Sequence, residues 1–593
     1  MTTQDKLRAI RELMKQYKLS AYIIPPTDPH QSEYIPARWK TREWFSGFTG
    51  SAGTVVVTEH FAGLWTDSRY FIQAEQELAG SGIELVKLKI PHTPEYIDWL
   101  SENLEKGSCV GFDGNVFSES LANMLKARFS VKGIDIESRF DLPGLIWKDR
   151  PEMSKEMVYE HETKYAGKDR KEKLMLVFEQ MKADGFDYHL LTALDDIAWL
   201  FNLRGNDIDF NPVFIAYALL SQSKATLFIN KEKITDGLLK QLQGDGIEIL
   251  PYSAIGESLA SLKSQKSILY TSSKISCSLS GQIPSAIRKS DGLSIPSKLK
   301  ACKDAVETAN IHQAMIKDGI ALTRFFIWLE NHLGKQNISE VDVDEKLTSF
   351  RKQQQGFIGN SFETIAGYLD HGAIVHYSAT SESAYQLKPE GLLLLDSGGQ
   401  YLEGTTDITR TISLGKPTKD EKEDYTRVLK GTIRLAMAVF PEGTKGFQLD
   451  ALARLALWDA HKNYGHGTGH GVGYFLNVHE GPQGISPNPA VNYPLLEGMV
   501  QSDEPGFYRE GMYGIRLENL IQVVNVGQSD YGTFLAFDTL TLCPFDKNLI
   551  DKGLLSKEEL TWLNDYHQKV FEKLSPSLDT VEKAWLKEKT MPL

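Results

Sequence analysis

At 593 residues the chain is too long for one ordinary hydrophobic core, and about two to four domains are expected. Its 65 Lys plus Arg against 78 Asp plus Glu leave a formal charge of −13, with no basic stripe interleaved with aromatics, so nucleic acid is not an expected partner. Hydrophobic residues at 41% and charged residues at 24% exclude a disordered or collagen-like chain, and no stretch approaches the roughly 20 apolar residues of a membrane span.

The opening segment, MTTQDKLRAIRELMKQYKLS, lacks the uninterrupted apolar core of a secretory signal, which points to the cytoplasm. It predicts a helix from Lys6 to Tyr17, then an apolar strand from Ala21 to Ile24 halted by Pro25 and Pro26. A strand follows at Thr54 to Thr58, and FAGLWTD precedes the helical SRYFIQAEQEL. This alternation describes a mixed α/β domain that ends in the proline-containing region around residues 141 to 153. The segment from Trp44 to Ser51 can be laid over that from Trp199 to Asn206 at an offset of 155 residues, in both places between a predicted helix and hydrophobic strands. Two similar domains, 1–153 and 154–299, are therefore expected. Cys109, Cys277, Cys302 and Cys543 are scattered without CxxC spacing and read as thiols rather than ligands or disulfides.

The third unit, 300–593, opens with a long helical pattern from Asp304 to Leu333, where Gly334 supplies a cap, and a second pattern from Asp342 to Gln355. The runs GLLLLD, Gly391 to Asp396, and DITRTISL, Asp407 to Leu414, predict adjacent strands. Helical patterning returns over Asp420 to Phe440 and Gln448 to His461. The unit reads as helices packed on a curved, mostly antiparallel sheet.

Chemistry concentrates in this unit at Asp396, Asp407, His470, Glu504 and Glu518, each on or beside a predicted strand. Asp396 precedes Ser397-Gly398-Gly399, Glu504 precedes a Pro505-Gly506 turn, and Glu518 follows the strand-like YGIRL. Two readings fit: separate surface acids at strand ends, or carboxylates whose burial and mutual repulsion are offset by divalent cations. An oxygen-rich set with one imidazole suits Mn²⁺ or a related cation better than structural zinc. The glycine-rich GHGTGHGVG, Gly465 to Gly473, lacks the Walker lysine and the dinucleotide-binding pattern, which disfavours phosphate cradling. Arg516, two residues before Glu518, shares its side of a regular strand and can pair with Asp407 or another acid.

The combination resembles the aminopeptidase P branch of the pita-bread metallopeptidases, specifically the long three-domain Xaa-Pro aminopeptidases. The matching pieces are His376 in AIVHY, Asp396 in LLDSGG, Asp407 in GTTDITRT, His466 and His470 in GHGTGHGVG, His479 in NVHEGP, Glu504 in SDEPG and Glu518 in GIRLEN. The segments WFSGFTGSAG, WTDSRYF and WLFNLRGNDIDFNP extend the likeness over essentially the whole chain. The resemblance implies an α/β and α+β chain in which two related N-terminal domains precede a pita-bread catalytic domain with a C-terminal extension.

It also implies two divalent ions, most simply Mn²⁺. Asp396 would hold one ion, Asp407 and Glu518 would bridge both, and His470 and Glu504 would complete the second position. Water activated there would attack an Xaa-Pro bond in a peptide with a free N-terminus, with Glu504 assisting proton transfer. His376 would donate a hydrogen bond near the developing oxyanion or the scissile amide, and His479 would orient the carbonyl or the proline side. His466 and Arg516 would support substrate or ligands, while Phe362, Tyr377 and Tyr474 are sequence candidates for the proline pocket. A homodimer through the catalytic unit is implied as well. A prolidase-like dipeptidase could use the same five ligands, and a retired, binding-only descendant is disfavoured because none of the five is missing.

Overall fold

The computed structural model describes residues 1–90 and 93–593. The chain divides into two compact units. The first comprises Met1–Glu160, Arg170–Asp209 and Val213–Pro296, and the second comprises His161–Asp169, Phe210–Pro212 and Ser297–Leu593.

The first unit contains two six-stranded sheets of one topology. From edge to edge the first runs Glu84–Lys87, Ala62–Thr66, Thr54–Thr58, Ala21–Ile24, Cys109–Phe112 and Asp135–Glu137. The second runs Ile247–Leu250, Ala225–Ile229, Ala216–Ser221, Tyr188–Leu191, Ser267–Tyr270 and Arg288–Asp291. Strand directions match rung for rung: parallel, antiparallel, antiparallel, parallel, parallel. The two segments related by the 155-residue offset occupy equivalent places. Helix Thr41–Ser46 ends on Gly47 at φ 78°, and helix Leu194–Phe201 ends on Asn202 at φ 49°. Both caps are left-handed, a conformation open to Gly and tolerated by Asn.

The strand Ala21–Ile24 is buried along its whole length because both faces are covered. Tyr22 and Ile24 pack with Leu7, Ile10 and Met14 of helix Thr3–Tyr17, while Ala21 and Ile23 pack with Leu100, Phe117 and Phe129. That helix begins at a Thr2–Asp5 capping box, and its apolar residues fall at helical spacing.

The second unit is built on antiparallel sheets. Strand Leu392–Ser397 lies between Ile365–Tyr368 and Ile408–Ser413, so the two runs expected to be neighbours are paired from Leu392↔Ser413 to Ser397↔Ile408. A six-stranded sheet is ordered Val439–Pro441, Gly532–Thr539, Asn519–Ser529, Val500–Asp503, Gly469–Gly471 and Glu480–Ile485. The ribbon Gly506–Arg509 with Tyr513–Arg516 stands beside these. Helix Ala305–His332 starts from an Asp304–Glu307 capping box and stops at Leu333 before Gly334 at φ 74°. It shares a core with helix Glu340–Arg351 and the first sheet through Phe325, Leu329, Leu347, Leu393 and Leu395. The helical pattern expected to reach Phe440 ends at Ala436, and Val439–Pro441 forms an edge strand instead. Pro441 cannot continue a helix, and pairing with Phe534 to Ala536 buries Phe440 against Phe537. Among the described residues no helix is long and apolar enough to cross a membrane.

Candidate metal centre

Each acidic residue reaches the centre from a strand end. Asp396 lies in the buried strand Leu392–Ser397, followed by a tight approach at Gly398. A Cβ there would stand 2.1 Å from the Thr406 carbonyl oxygen, so glycine lets the turn after Asp396 close on the segment that presents Asp407. Glu518 is fixed through its backbone, its N–H donating to the Thr409 carbonyl at 3.0 Å and its own carbonyl accepting from Arg410 Nη1 at 2.6 Å. The Glu504 N–H donates to the Thr468 carbonyl at 2.8 Å, and the His470 N–H to Ser502 Oγ at 2.9 Å.

These anchors bring Asp407, His470 and Glu518 together, with one ligating atom from each lying within 4.8 Å of the others. Glu504 joins them, its Oε1 3.7 Å from His470 Nε2, while Asp407 Oδ2 is 3.5 Å from the same nitrogen. Asp396 lies near enough for its charge to raise Glu518 and Glu504. Its Oδ2 accepts from Arg516 Nη2 at 2.7 Å, and its Oδ1 is buried without a hydrogen-bond partner. Asp407, which Arg516 was free to choose from sequence, is left for the cluster. The His470 ring nitrogen Nδ1 stands 2.9 Å from the Gly471 carbonyl. As a donor there, it leaves Nε2 with its lone pair towards the carboxylates once the ring is neutral.

The electrostatics describe a site lacking positive charge. Burial raises Glu518 far above the ordinary carboxylate range, and the charges of Asp407, Asp396 and Glu504 add to it. Burial also lifts Glu504 to about 7, with Asp407 and Asp396 raising it and His470 and Arg516 opposing them. Asp396 rises by burial despite Arg516. Burial alone would lower His470, but its bond to Asp407 and the charge of Glu504 overcome this and hold it at about 9. Raised carboxylates, a cationic imidazole and the orphaned Asp396 oxygen fit a divalent cation, which satisfies oxygen and imidazole donors alike.

The charged state of His470 gives a measurable consequence. Coordination requires the neutral ring, so loading metal-free protein at pH 8 releases protons, and affinity falls as pH is lowered. Titration calorimetry with Mn²⁺ in two buffers of different ionisation enthalpy is expected to give buffer-dependent heats corresponding to proton release. Identical heats would contradict this charge assignment.

Around the centre, Arg516 also donates through Nη1 to Tyr508 OH at 2.8 Å and through Nε to Thr409 Oγ1 at 3.2 Å. Thr409 Oγ1 in turn donates to Glu518 Oε2 at 2.8 Å. Tyr508 stands 2.8 Å from His466 Nε2, and His466 Nδ1 stands 2.7 Å from the Gly467 carbonyl. Burial and the nearby Arg516 push His466 down to about 3, so the ring is neutral and Tyr508 donates to it. His466 therefore ends a chain running from Arg516 through Tyr508. His479 is exposed and sets its ring edge-on to that of His470 at 4.3 Å. His376 is also exposed, and its charge is felt by His466.

Of the proline-pocket candidates, Phe362 lies beside Gly398. Tyr377 donates to Glu340 at 3.0 Å and stacks on His371, and Tyr474 donates to the Tyr165 carbonyl at 2.9 Å. Both hydroxyls are thus committed to structural bonds. Sequence reasoning missed Thr409 and Tyr508, although each lies at even spacing from a candidate ligand, Asp407 and Glu504, as same-side strand neighbours do. It also missed Asp503, buried beside Glu504 with neither oxygen hydrogen-bonded and raised strongly by burial.

The chain matches the Creatinase/Prolidase N-terminal domain twice, over residues 6–146 and 149–307. It matches metallopeptidase family M24 over residues 309–525 and the C-terminal region of peptidase M24 over 533–593. Xaa-Pro aminopeptidase 1 of Dictyostelium discoideum is 40% identical over 609 residues, covering 99% of this chain and 96% of that protein. Aminopeptidase P2 of Arabidopsis thaliana is 40% identical over 632 residues, covering 100% and 89%. The solved X-prolyl aminopeptidase of Caenorhabditis elegans, described as a cytosolic enzyme with a di-nuclear active site, is 33% identical and superposes at a TM-score of 0.94 over 100% of both chains. The dipeptidase PepE of Mycobacterium ulcerans covers 65% of this chain at 22% identity and a TM-score of 0.52, a likeness of fold alone.

Fold, donor set and these likenesses define a pita-bread metallopeptidase with two creatinase-like N-terminal domains. Within that class the chain belongs to the Xaa-Pro aminopeptidase P family.

Proposed function

We propose that this chain is a metal-dependent aminopeptidase that hydrolyses the bond between an unblocked N-terminal residue and a penultimate proline. The observation that carries the reading is the convergence of Asp407, His470 and Glu518 within 4.8 Å, in a chain similar over its full length to Xaa-Pro aminopeptidases. Two divalent ions, most simply Mn²⁺, are the proposed complement. Asp396 would hold one, Asp407 and Glu518 would serve both, and His470 and Glu504 would hold the second. When bound, such ions lower the pKa of water and offset charge building on the scissile carbonyl.

The protein's own groups do the rest. Glu504, whose Oε1 stands 3.7 Å from His470 Nε2, is the carboxylate we assign to take and return the proton of the attacking water. His479, exposed beside His470, orients the substrate carbonyl or the proline side. His376 donates a hydrogen bond near the oxyanion or the scissile amide, and its exposure beside His466 supports a substrate-facing role. Arg516, Tyr508 and His466 hold the ligand frame. The domain limits go with this reading at 1–153, 154–299 and 300–593. A homodimer through the catalytic unit is supported by Leu455 and Trp458, exposed one turn apart on helix Gly446–Trp458. A cytoplasmic site of action follows from the likeness to the cytosolic C. elegans enzyme.

The specificity is tested with Xaa-Pro-Yaa, its N-acetylated form and Xaa-Ala-Yaa, offered to Mn²⁺-loaded protein. Cleavage of the free Xaa-Pro peptide alone is expected. Equal cleavage of the acetylated peptide would overturn recognition of the free amine, and equal cleavage of Xaa-Ala-Yaa would overturn the requirement for proline.

A further inference from the structure

The turn that leaves Asp396 has little side chain of its own to hold it. It reads Ser397-Gly398-Gly399, and glycine loses more conformational freedom on folding than any other residue. A larger residue cannot stiffen it at Gly398, where a Cβ would stand 2.1 Å from Ser361 Oγ as well as from the Thr406 carbonyl oxygen. The turn is held from outside instead.

A buried guanidinium supplies that hold. Arg351, the last residue of helix Glu340–Arg351, donates through Nη2 to Ser397 Oγ at 3.1 Å and through Nη1 to the Gly398 carbonyl at 3.2 Å. Its other edge is locked on Asp318 of helix Ala305–His332, with Nε 2.8 Å from Oδ1 and Nη2 3.2 Å from Oδ2. Tyr401 OH donates to the same Oδ1 at 2.9 Å. Arg351 and Tyr401 are wholly buried and Asp318 is 3% exposed. Desolvation makes such a pair a poor source of stability compared with an apolar core, whereas the planar fork gives it geometric direction.

The turn connects two carboxylates of the centre. Asp396 precedes it directly. On its far side the Gly399 N–H donates to Thr406 Oγ1 at 2.9 Å, and the Thr406 N–H returns a bond to the Gly399 carbonyl at 2.9 Å, one residue before Asp407. Arg516 grips the Asp396 carboxylate itself, while Arg351 grips the backbone that follows it.

We infer that Arg351, locked on Asp318, is a positioning residue that fixes Asp396 against Asp407 and so completes the place of the ion that Asp396 would hold. The inference rests on the two-ion reading of the centre proposed above.

Arg351→Lys is the discriminating variant. It keeps a positive charge for Asp318, but an ammonium cannot reproduce the planar fork that reaches both acceptors of the turn. Ser397→Ala, which removes one of those acceptors and leaves the ion pair whole, is the second variant should the first fail to fold. Full-length, metal-free proteins are titrated with Mn²⁺ and followed by low-temperature electron paramagnetic resonance, in which isolated ions and exchange-coupled pairs give distinct spectra.

The expected result for Arg351→Lys is that one ion binds as it does in wild type, while the coupled pair needs roughly tenfold more Mn²⁺, a size typical of residues supporting a site's ligands. Ser397→Ala should show the same pattern to a smaller degree. Coupled pairs at the wild-type Mn²⁺ concentration would overturn the positioning role and leave the two-ion reading intact. Equal weakening of both ions would do the same, since it marks a general loosening of the fold. A wild-type protein that never gives a coupled pair would overturn the two-ion reading and the inference with it, and is read from that protein alone.

Discussion

Asp407→Asn is expected to remove metal-dependent turnover almost completely while leaving a folded protein. Asp407 supplies the carboxylate nearest His470 among the three converging residues, and in the proposed arrangement it serves both ions. Asparagine keeps the shape but loses the charge and one anionic donor, so the remaining groups hold a divalent pair poorly. The ions are asked to stabilise charge on the scissile carbonyl by several kcal/mol, and each 1.4 kcal/mol is a factor of ten. A fall of about 10³-fold or more in kcat/KM is therefore expected. The same variant should lose the rise in melting temperature that Mn²⁺ confers on the parent, because a cation that no longer binds the native state cannot stabilise it. Elemental analysis and melting curves with and without Mn²⁺ check both points, and a variant retaining full metal content and turnover would exclude Asp407 as a ligand.

Arg516→Met should have the next largest effect, and it should act through metal affinity. The guanidinium is 2% exposed and spends three nitrogens on Asp396, Tyr508 and Thr409, one of which passes the bond on to Glu518. Its charge also opposes the rise of Asp396 and Glu504. Without it, Asp396 is buried with no cationic hydrogen-bond donor, a change that typically costs about 3–5 kcal/mol. The carboxylate then takes up a proton more readily and competes less well for a cation. The free Mn²⁺ needed for half-maximal activity should rise by roughly 10–100-fold, with turnover at saturating Mn²⁺ much closer to wild type. Arg516→Lys should recover only part of the loss, because an ammonium cannot reproduce the planar fork. An unchanged metal requirement would show that Arg516 has no part in holding the ligands.

The five acidic and imidazole positions were legible because each sits in a short, patterned stretch: an apolar strand ending in Asp396, a strand opened by Asp407, glycines around His470, and turns beside Glu504 and Glu518. The duplicated domain was legible from the Trp44 and Trp199 segments, since both end in residues suited to a left-handed cap. What remained hidden depends on distant parts of the chain meeting. Arg516 meets Asp396 across 120 positions, and Lys300 meets Glu480 across 180. No local periodicity announces such pairs, and lysines beside an ordinary helix read as solvated charge. The hydroxyl bonds of Tyr377 and Tyr474 were hidden too, since aromaticity near a motif offers no sign that a hydroxyl bonds to Glu340 or to a backbone carbonyl. The strand at Val439–Pro441 was absorbed into a helical pattern because pairing with residues almost 100 positions later is invisible locally.

The most direct test is mass-spectrometric product analysis with purified protein, stripped of metal and then restored with Mn²⁺, on an Xaa-Pro-Yaa peptide and an Xaa-Pro dipeptide. The predicted result is release of the N-terminal residue from the longer peptide, absent after stripping and regained on restoration. Cleavage confined to the dipeptide, or turnover of the longer peptide indifferent to metal, would contradict it.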